Sequence, residues 1–514
     1  MLMNAPATFI QSYIDDLNDA LNQLKPGAAL TRIQAAWLGT CLTGILLMNS
    51  VCWAKFERAS LGDCKVAALS WVFRKASIPW DWLLWVSVVL ILKRYGITEG
   101  VLAFDESDRA RSKSTKRIYK VYKQKHKGSG GYVNGQTIVL LLLVTSSITV
   151  PVGFFFYMPG PALKQWDKED KRLKKSGIAK KDRPIKPERD SAYPTKTEIA
   201  LGLLKEFKVA HSLIKIKGVL ADALYGEKAF MDEAAKESGG SQVISQLRKN
   251  QNIEYRGRIR SVESYFNSIN KGIDQIIRVR GGKEIKVTVS SARLKVSSHS
   301  KKRFVIALKY DGENDYRYLV ATDLTWRTQD IIQAYTLRWL IEVFFEDWKL
   351  YEGWGREAKQ LDEEGSSRGL ILSLLFDHCL LLHPEQIARI ESKLPAYTVG
   401  SLQRKSQMDV LLEFITSLLE FPDPGDKLKE LGELIKDVFQ LMPSGKHMIG
   451  RDLGRLGPTA SLKYCSAGEG KSLMAMGWKN LNIECNEDEY ANLPPSQIVP
   501  ILADKGIRCQ PRTG

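Results

Sequence analysis

Cysteine is scarce in this chain of 514 residues, and the seven cysteines that it has form no motif. None belongs to a Cys-x-x-Cys pair and no histidine pattern accompanies them; they are Cys41, Cys52, Cys64, Cys379, Cys465, Cys485 and Cys509. An odd number of widely spaced cysteines favours neither a disulfide framework nor a zinc site. We therefore expect a protein of a reducing compartment.

Long hydrophobic runs are also missing. The apolar run 82–92 is too short to cross a bilayer, and the run 138–158 is interrupted by Pro151 and Gly153. The first twenty residues carry Asp15, Asp16 and Asp19 in place of a basic stretch followed by an apolar core, so we expect no signal peptide. Both apolar runs are interpreted as core elements of a protein without a membrane partner.

Acidic residues are absent from one strongly basic segment and rare in another. The chain has 75 Lys and Arg against 58 Asp and Glu, a formal charge of +17. Segment 109–127 holds nine basic residues and no acid, segment 164–190 eleven against six, and segment 241–303 fifteen against four. The remainder of the chain is net negative, so the positive charge is local. For the first and third segments we favour contact with a polyanion, whereas solvated loops explain the second equally well.

The periodicity of apolar residues predicts an order of elements. Four helices are expected before residue 100, followed by a strand at 101–104 that stops at Asp105 and two strand-like runs at 137–145 and 148–157. A capping box at Thr195 and Glu198 predicts a helix that runs to about residue 208, and the strand 216–221 then ends at Asp222. A β-rich block, a helix at 328–352 and a largely helical remainder complete the chain. Because sites collect at the carboxyl ends of strands in α/β layers, Asp105 and Asp222 are candidates for one crevice.

A polar stripe marks the helix expected at 328–352. Tyr335, Arg338, Glu342 and Lys349 fall within roughly a 60° arc at about 100° per residue. The rest of that helix is mostly apolar, so the sequence predicts burial except where the stripe emerges. An internal ladder of salt bridges is the alternative interpretation. Two aspartates at strand ends together with Glu342 would supply hard oxygen ligands for Mg²⁺ or Mn²⁺, while the cations would hold phosphate.

The pattern Tyr335-x2-Arg338-x3-Glu342-x6-Lys349 resembles the YREK signature of bacterial insertion-sequence transposases, a group of the DDE enzymes. The motifs around Asp105 (Val-Leu-Ala-Phe-Asp-Glu-Ser) and Asp222 (Gly-Val-Leu-Ala-Asp-Ala-Leu-Tyr-Gly) are similar to the other two acidic motifs of that family. The resemblance spans about 101–384. One departure is Glu106, where relatives carry a second Asp; we assign the metal ligand to Asp105, with Glu106 as the alternative.

The resemblance implies an α/β fold with a ribonuclease H-like catalytic core. It places a helical N-terminal DNA-binding domain at 1–100, the core at 101–225 and 324–384, a β-rich insertion domain at 226–323 and a mainly helical region at 385–514. It also implies a cytoplasmic, nucleoid-associated bacterial protein that forms a homodimer in a synaptic complex with transposon terminal inverted repeats and target DNA.

The resemblance further assigns roles to residues. Asp105, Asp222 and Glu342 would hold two Mg²⁺ or Mn²⁺ ions for strand cleavage and strand transfer, and three residues of the stripe, Tyr335, Arg338 and Lys349, would contact phosphates of the transposon end. Arg111 and Lys113 resemble the family's basic pair. Tyr318 matches a residue that stacks on a flipped base, with an ordinary strand aromatic as the alternative.

The sequence is also compatible with two other functions. A catalytically inactive, transposase-derived DNA-binding protein is indicated only by Glu106. A peripheral membrane protein is indicated by the positive charge and the two apolar runs, but it leaves the polar stripe unexplained.

Overall fold

The computed structural model describes residues 3, 5–125, 130–269, 272–279, 282–357 and 360–439. The sequence also predicts a flexible segment at Gly128-Ser129-Gly130-Gly131 and a turn at Gly281-Gly282, and both lie partly outside these residues. Three cysteines and the end of the C-terminal region, 440–514, lie outside them entirely.

Among the described residues, five helices precede the first strand, one more than the four expected. Thr31 opens the second of them with a capping box, because its side chain accepts from the backbone of Gln34 and the Gln34 side chain accepts from the backbone of Thr31. Their buried faces form one apolar core together with a later helix, 363–381. The helices are α1 Thr8–Leu24, α2 Arg32–Met48, α3 Trp53–Ala59, α4 Val66–Lys75 and α5 Trp80–Arg94.

Twelve strands form one mixed sheet, in the order β2-β3-β1-β5-β6-β12-β11-β10-β7-β8, with β4 beside β3 and β9 beside β10. The strands are β1 Glu99–Ala110, β2 Tyr122–Lys125, β3 Tyr132–Val144, β4 Thr149–Tyr157, β5 Lys215–Ala221, β6 Gln242–Leu247, β7 Asn252–Tyr255, β8 Arg258–Ser261, β9 Ile273–Arg278, β10 Glu284–Val296, β11 Lys301–Tyr310 and β12 Arg317–Ala321.

The centre of the sheet combines both kinds of pairing. Strands β1, β3 and β4 form an antiparallel meander, as the three consecutive strand-like runs of the sequence predict, while β5 runs parallel to β1 and β6 runs parallel to β5. Strand β12 then pairs antiparallel with β6, so the strands of the expected insertion domain continue the same sheet. The result is a mixed α/β structure with a large sheet and many helices.

Some of the remaining helices pack on the two faces of the sheet. The capping box at Thr195 is present, and α7 buries Ile199, Leu203 and Phe207 against one face. Helices α10, α11 and α12 pack on the other face. The bounds are α6 Pro161–Lys175, α7 Lys196–Ala210, α8 Lys228–Glu237, α9 Val262–Ile269, α10 Thr328–Thr336, α11 Trp339–Leu350, α12 Glu363–Leu381, α13 Pro384–Glu391, α14 Val399–Leu419 and α15 Pro424–Val438.

Two expectations about boundaries are wrong. Strand β1 does not stop at Asp105 but continues to Ala110, because its antiparallel pairing with β3 outlasts its parallel pairing with β5. The helix expected at 328–352 is two helices, separated at Leu337 and Arg338, where the backbone bonds tighten from i−4 to i−3 acceptors. The break also exposes Trp339, which the sequence pattern predicts as buried.

Among the described residues, no single helix combines the length and hydropathy needed to cross a membrane, although three sharply bent helix pairs meet these criteria jointly.

Candidate active site

Asp105 and Asp222 occupy equivalent positions on neighbouring strands. The parallel pairing of β1 with β5 ends at the pair Phe104 and Ala221, so Asp105 is the next residue of β1 and Asp222 is the residue that directly follows β5. Since side chains alternate along a strand, Asp105 lies on the face occupied by Ala103, the face covered by α10 and α11. The sheet therefore brings together two acids that are 117 positions apart in the sequence.

Glu342 reaches this face from the first turn of α11. Arg338, one turn earlier, links it to the strand: its Nη1 donates to Asp105 Oδ2 at 3.0 Å and to Glu342 Oε1 at 3.3 Å. The guanidinium side chain is 13% exposed and that of Asp105 9% exposed, whereas that of Glu342 is 42% exposed. The arginine thus bridges a buried acid and an accessible one.

The environment of Asp105 opposes its ionisation. Burial, followed by the negative charge of Glu342 and, more weakly, that of Asp222, raises the pKa of Asp105 to about 7. The backbone N–H of Glu106, at 2.8 Å from Oδ1, and the charge of Arg338 act in the opposite direction. A strongly shifted carboxyl among other carboxyls is typical of a functional site.

The carboxylate oxygens of this site are suited to a divalent ion, but they are arranged in an ion pair with Arg338. Three carboxylates are the hard oxygen ligands that Mg²⁺ and Mn²⁺ prefer. Within the part of the chain that the structure describes, however, no three His, Cys, Asp or Glu side chains have the arrangement of a metal site. In this arrangement Arg338 is paired with one oxygen each of Asp105 and Glu342.

The turn after Asp222 is held by residues that the sequence pattern did not reveal. Ser245 donates to the backbone oxygen of Asp222, and the Asp222 carboxylate accepts from the backbone N–H of Leu224 at 2.8 Å. His299 Nδ1 accepts from Arg303 at 3.0 Å, so His299 Nε2 carries the proton and donates to the Gly226 oxygen at 3.0 Å. The contacts of Ser245 with Asp222 and of His299 with Gly226 join chain segments far apart in sequence, and no local spacing signals them.

Tyr335 faces the strand ends and not the solvent. Its ring is buried, its hydroxyl accepts from Gln246 Nε2 at 2.8 Å, and it lies 3.4 Å from the backbone oxygen of Ala221. The phenol therefore supports the backbone next to Asp222. Lys349 is exposed at the far end of α11, with its ammonium 5.7 Å from the centre of the Phe345 ring.

Glu106 belongs to the other face of the sheet. Its Oε1 accepts from Lys196 at 2.7 Å at the start of α7, the helix that covers the face opposite to Glu342. Of the two adjacent acids, only Asp105 is paired with the side chain that holds Glu342.

Three expected DNA contacts have different surroundings. The Arg111 side chain is 4% exposed and is held by Glu357 and Gln136, so its guanidinium is not available to a phosphate in this conformation. Lys113 is exposed. Tyr318 is 4% exposed in β12 and packs against Phe266, the surroundings of an ordinary strand aromatic. Its stacking on a flipped base stays a prediction.

Comparison with known protein families gives two matches. Residues 29–260 match the family described as DDE superfamily endonuclease, and residues 189–376 match the family described as transposase DDE domain. The first match contains Asp105 and Asp222, and the second contains Asp222 and Glu342. Together they support a nuclease-type transposase.

Among solved structures, a cryo-EM structure of a piggyBac transposase synaptic complex with hairpin DNA is similar over 89% of this chain and 88% of that chain, with 11% sequence identity and a TM-score of 0.39. A search of curated proteins gives no match to this chain.

Proposed function

We propose that the chain is a DNA transposase of the YREK group that binds transposon terminal inverted repeats and performs cut-and-paste transposition. The observation that carries this proposal is the convergence of Asp105 and Glu342 on one buried arginine, beside the strand end that bears Asp222. The same three acids belong to the DDE motifs that the sequence resembles.

The sheet supports a ribonuclease H-like core as part of this proposal. Three antiparallel strands, β1, β3 and β4, are followed by helix α7 and by the parallel strand β5, which is the chain order that the resemblance implies. The helix that carries the last acid packs on the face of the sheet that bears Asp105.

In the proposed mechanism, Asp105, Asp222 and Glu342 would hold two Mg²⁺ or Mn²⁺ ions, which would supply activation of a water or a 3′-hydroxyl and stabilisation of the leaving oxygen. Arg338 and Lys349 bind phosphates of the cleaved end, for which guanidinium and ammonium groups are suited. Tyr335 and Gln246 fix the end of β5 and so position Asp222. A homodimer in a synaptic complex with the inverted repeats and target DNA completes the proposal.

Nicking of DNA that carries the element's ends tests this proposal. Wild type is expected to nick it only with Mg²⁺ or Mn²⁺, and Asp222→Ala is expected to lose nicking and keep DNA binding. Asp311→Ala, which removes an exposed turn aspartate, is the matched control and should nick like wild type. Metal-independent nicking, or full activity of Asp222→Ala, would contradict the mechanism.

A transposase-derived DNA-binding protein without catalysis is the second candidate. Two observations favour it: Glu106 stands where relatives carry a second Asp, and Arg338 already neutralises two of the three acids. Sequence-specific binding without nicking by the wild-type chain, at any divalent ion concentration, would support this candidate and exclude the first.

A further inference from the structure

Arg338 is placed between the acids and not on the protein surface. Its Nη1 lies 3.0 Å from Asp105 Oδ2 and 3.3 Å from Glu342 Oε1, and its side chain is largely buried. One nitrogen therefore donates hydrogen bonds to two carboxylates that belong to different elements, β1 and α11. This cross-element pair distinguishes Arg338 from an exposed i,i+4 partner of Glu342.

The electrostatics of the site favour a cation at this position. Asp105 is buried, and Glu342 and Asp222 add negative charge close by. Buried charges of one sign are stable only when they are paired with the opposite charge, and the guanidinium meets that requirement when no metal ion is bound.

A divalent ion needs the same oxygens that Arg338 occupies. An ion ligated by Asp105 and Glu342 would stand a few ångströms from a fixed positive charge, and their mutual repulsion in a partly buried site would weaken metal binding. Metal ion and guanidinium are therefore alternative partners of these two carboxylates.

The surroundings of Arg338 allow it to leave. Glu342 is 42% exposed, so one end of the ion pair is open to an approaching molecule. The following residue, Trp339, is exposed, and the backbone at 337–338 is the break between α10 and α11. A phosphate offers a guanidinium two parallel charge-assisted hydrogen bonds, which is more than either carboxylate provides here.

We propose that the Arg338 guanidinium stays paired with Asp105 and Glu342 and thereby prevents metal ions from binding these carboxylates, until a DNA phosphate binds the guanidinium instead. Metal binding then depends on DNA binding, and the acids are assembled for catalysis only on the substrate. This inference rests on the proposed function for the identity of the phosphate donor, but its first step concerns the protein and the metal ion alone.

Mn²⁺ binding to the full-length protein without DNA tests that first step, with free Mn²⁺ measured by electron paramagnetic resonance. Arg338→Gln is expected to bind Mn²⁺ about tenfold more tightly than wild type, a coupling of ordinary size. Arg327→Gln is the matched control, because Arg327 forms an exposed pair with Asp330 at the start of α10; it should bind like wild type. Equal or weaker Mn²⁺ binding by Arg338→Gln would overturn the inference.

A second measurement shows which residues bind the Mn²⁺ and excludes misfolding as the cause of the change in affinity. The gain in affinity should disappear in the double variant Arg338→Gln/Asp105→Asn, and saturating Mn²⁺ should raise the melting temperature of Arg338→Gln more than that of wild type. A gain that survives the loss of the Asp105 charge would place the Mn²⁺ elsewhere and refute the proposal.

The role of DNA is tested by adding a mixed-sequence duplex, with the duplex alone as the blank. The difference in Mn²⁺ affinity between wild type and Arg338→Gln should shrink, because phosphate then engages Arg338 in the wild type. An unchanged difference would refute release by DNA. Failure of the proposed function is distinguishable, since it shows as a lack of nicking by wild type and leaves the DNA-free Mn²⁺ comparison intact.

Discussion

Gly226 lies four residues after Asp222, where the turn that follows β5 packs against β6. A Cβ added at this glycine would lie 2.1 Å from the backbone oxygen of Gln246, a contact that no real Cβ makes. The neighbouring atom is backbone of a central strand and cannot rotate away. The absence of a side chain at 226 therefore allows the close approach that places the Asp222 turn.

Replacing this glycine is expected to damage the site as well as the fold. Gly226→Ala should lower the free energy of unfolding by about 1–3 kcal/mol, as overpacking does, and reduce nicking more than DNA binding. Gly202→Ala is the control, since its Cβ would meet nothing within 4 Å in the middle of α7 and should raise stability by up to about 1 kcal/mol. Normal stability and nicking in Gly226→Ala would contradict the packing described.

The hydroxyl of Tyr335 forms contacts inside the protein, whereas the side chain of Lys349 is exposed. Tyr335→Phe removes the contacts with Gln246 and Ala221 and should cost about 1 kcal/mol of stability. It should slow nicking but leave the salt dependence of DNA binding unchanged. Lys349→Ala should lower the slope of log K against log salt by about 1, as the loss of one phosphate contact does.

Binding titrations at several salt concentrations distinguish these roles. A reduced slope for Tyr335→Phe would show that its hydroxyl contacts phosphate, as the family resemblance implies, and that the internal hydrogen bonds seen here are not the functional ones.

At the scale of elements, local signals in the sequence predicted more than long-range ones. The capping box of Thr195 is contained in four residues, and the helix that it opens begins where expected. The end of β1 depends on its pairing with β3, and the break at 337–338 occurs where two helices pack on one sheet face. Neither depends on residues adjacent in sequence, so periodicity alone could not reveal them.

A buried acid pair joins the end of α11 to α12. The carboxyl groups of Glu352 and Asp377 interact in the core, and Asp347 adds negative charge. Burial raises the pKa of Glu352 well above its ordinary value and that of Asp377 from 3.8 to about 7. The pair is therefore stable only while it keeps protons.

This arrangement predicts lower stability at alkaline pH. Because the folded-state pKa lies above the unfolded-state value, the contribution of Asp377 is fully present below the unfolded pKa and is lost as pH rises through about 7. Chemical denaturation should therefore give a smaller free energy of unfolding at about pH 8 than at about pH 6. Asp377→Asn should flatten this decline, whereas Asp409→Asn, an exposed acid of α14, should not. An equal decline in Asp377→Asn would contradict the assignment.

At the scale of the whole molecule, the candidate site exists only because distant segments meet. Arg338 and Asp105 are 233 positions apart, and their contact requires the parallel pairing of β1 with β5 and the packing of α11 on that face. Sequence spacing predicted the stripe on one helix, and resemblance to a known family supplied the two aspartates. Which face each acid occupies, and that Arg338 spans two of them, required the sheet itself.

Which basic residues are exposed and which are already paired also depends on the whole folded chain. Arg111 belongs to the basic segment 109–127, yet Glu357 and Gln136 engage its guanidinium, so a count of basic residues overstates the surface offered to DNA. Lys113, in the same segment, remains exposed. The sequence predicted where positive charge concentrates, but not which cations are already paired.

In the proposed mechanism, Asp105, Asp222 and Glu342 gather around two divalent ions when DNA is bound. Anomalous scattering from Mn²⁺ in crystals of the protein with its transposon-end DNA tests it most directly. We expect two peaks about 4 Å apart, bonded to oxygens of these three carboxylates, with Arg338 moved onto a DNA phosphate. Peaks elsewhere, or none while Arg338 still bridges Asp105 and Glu342 beside bound DNA, would contradict the account.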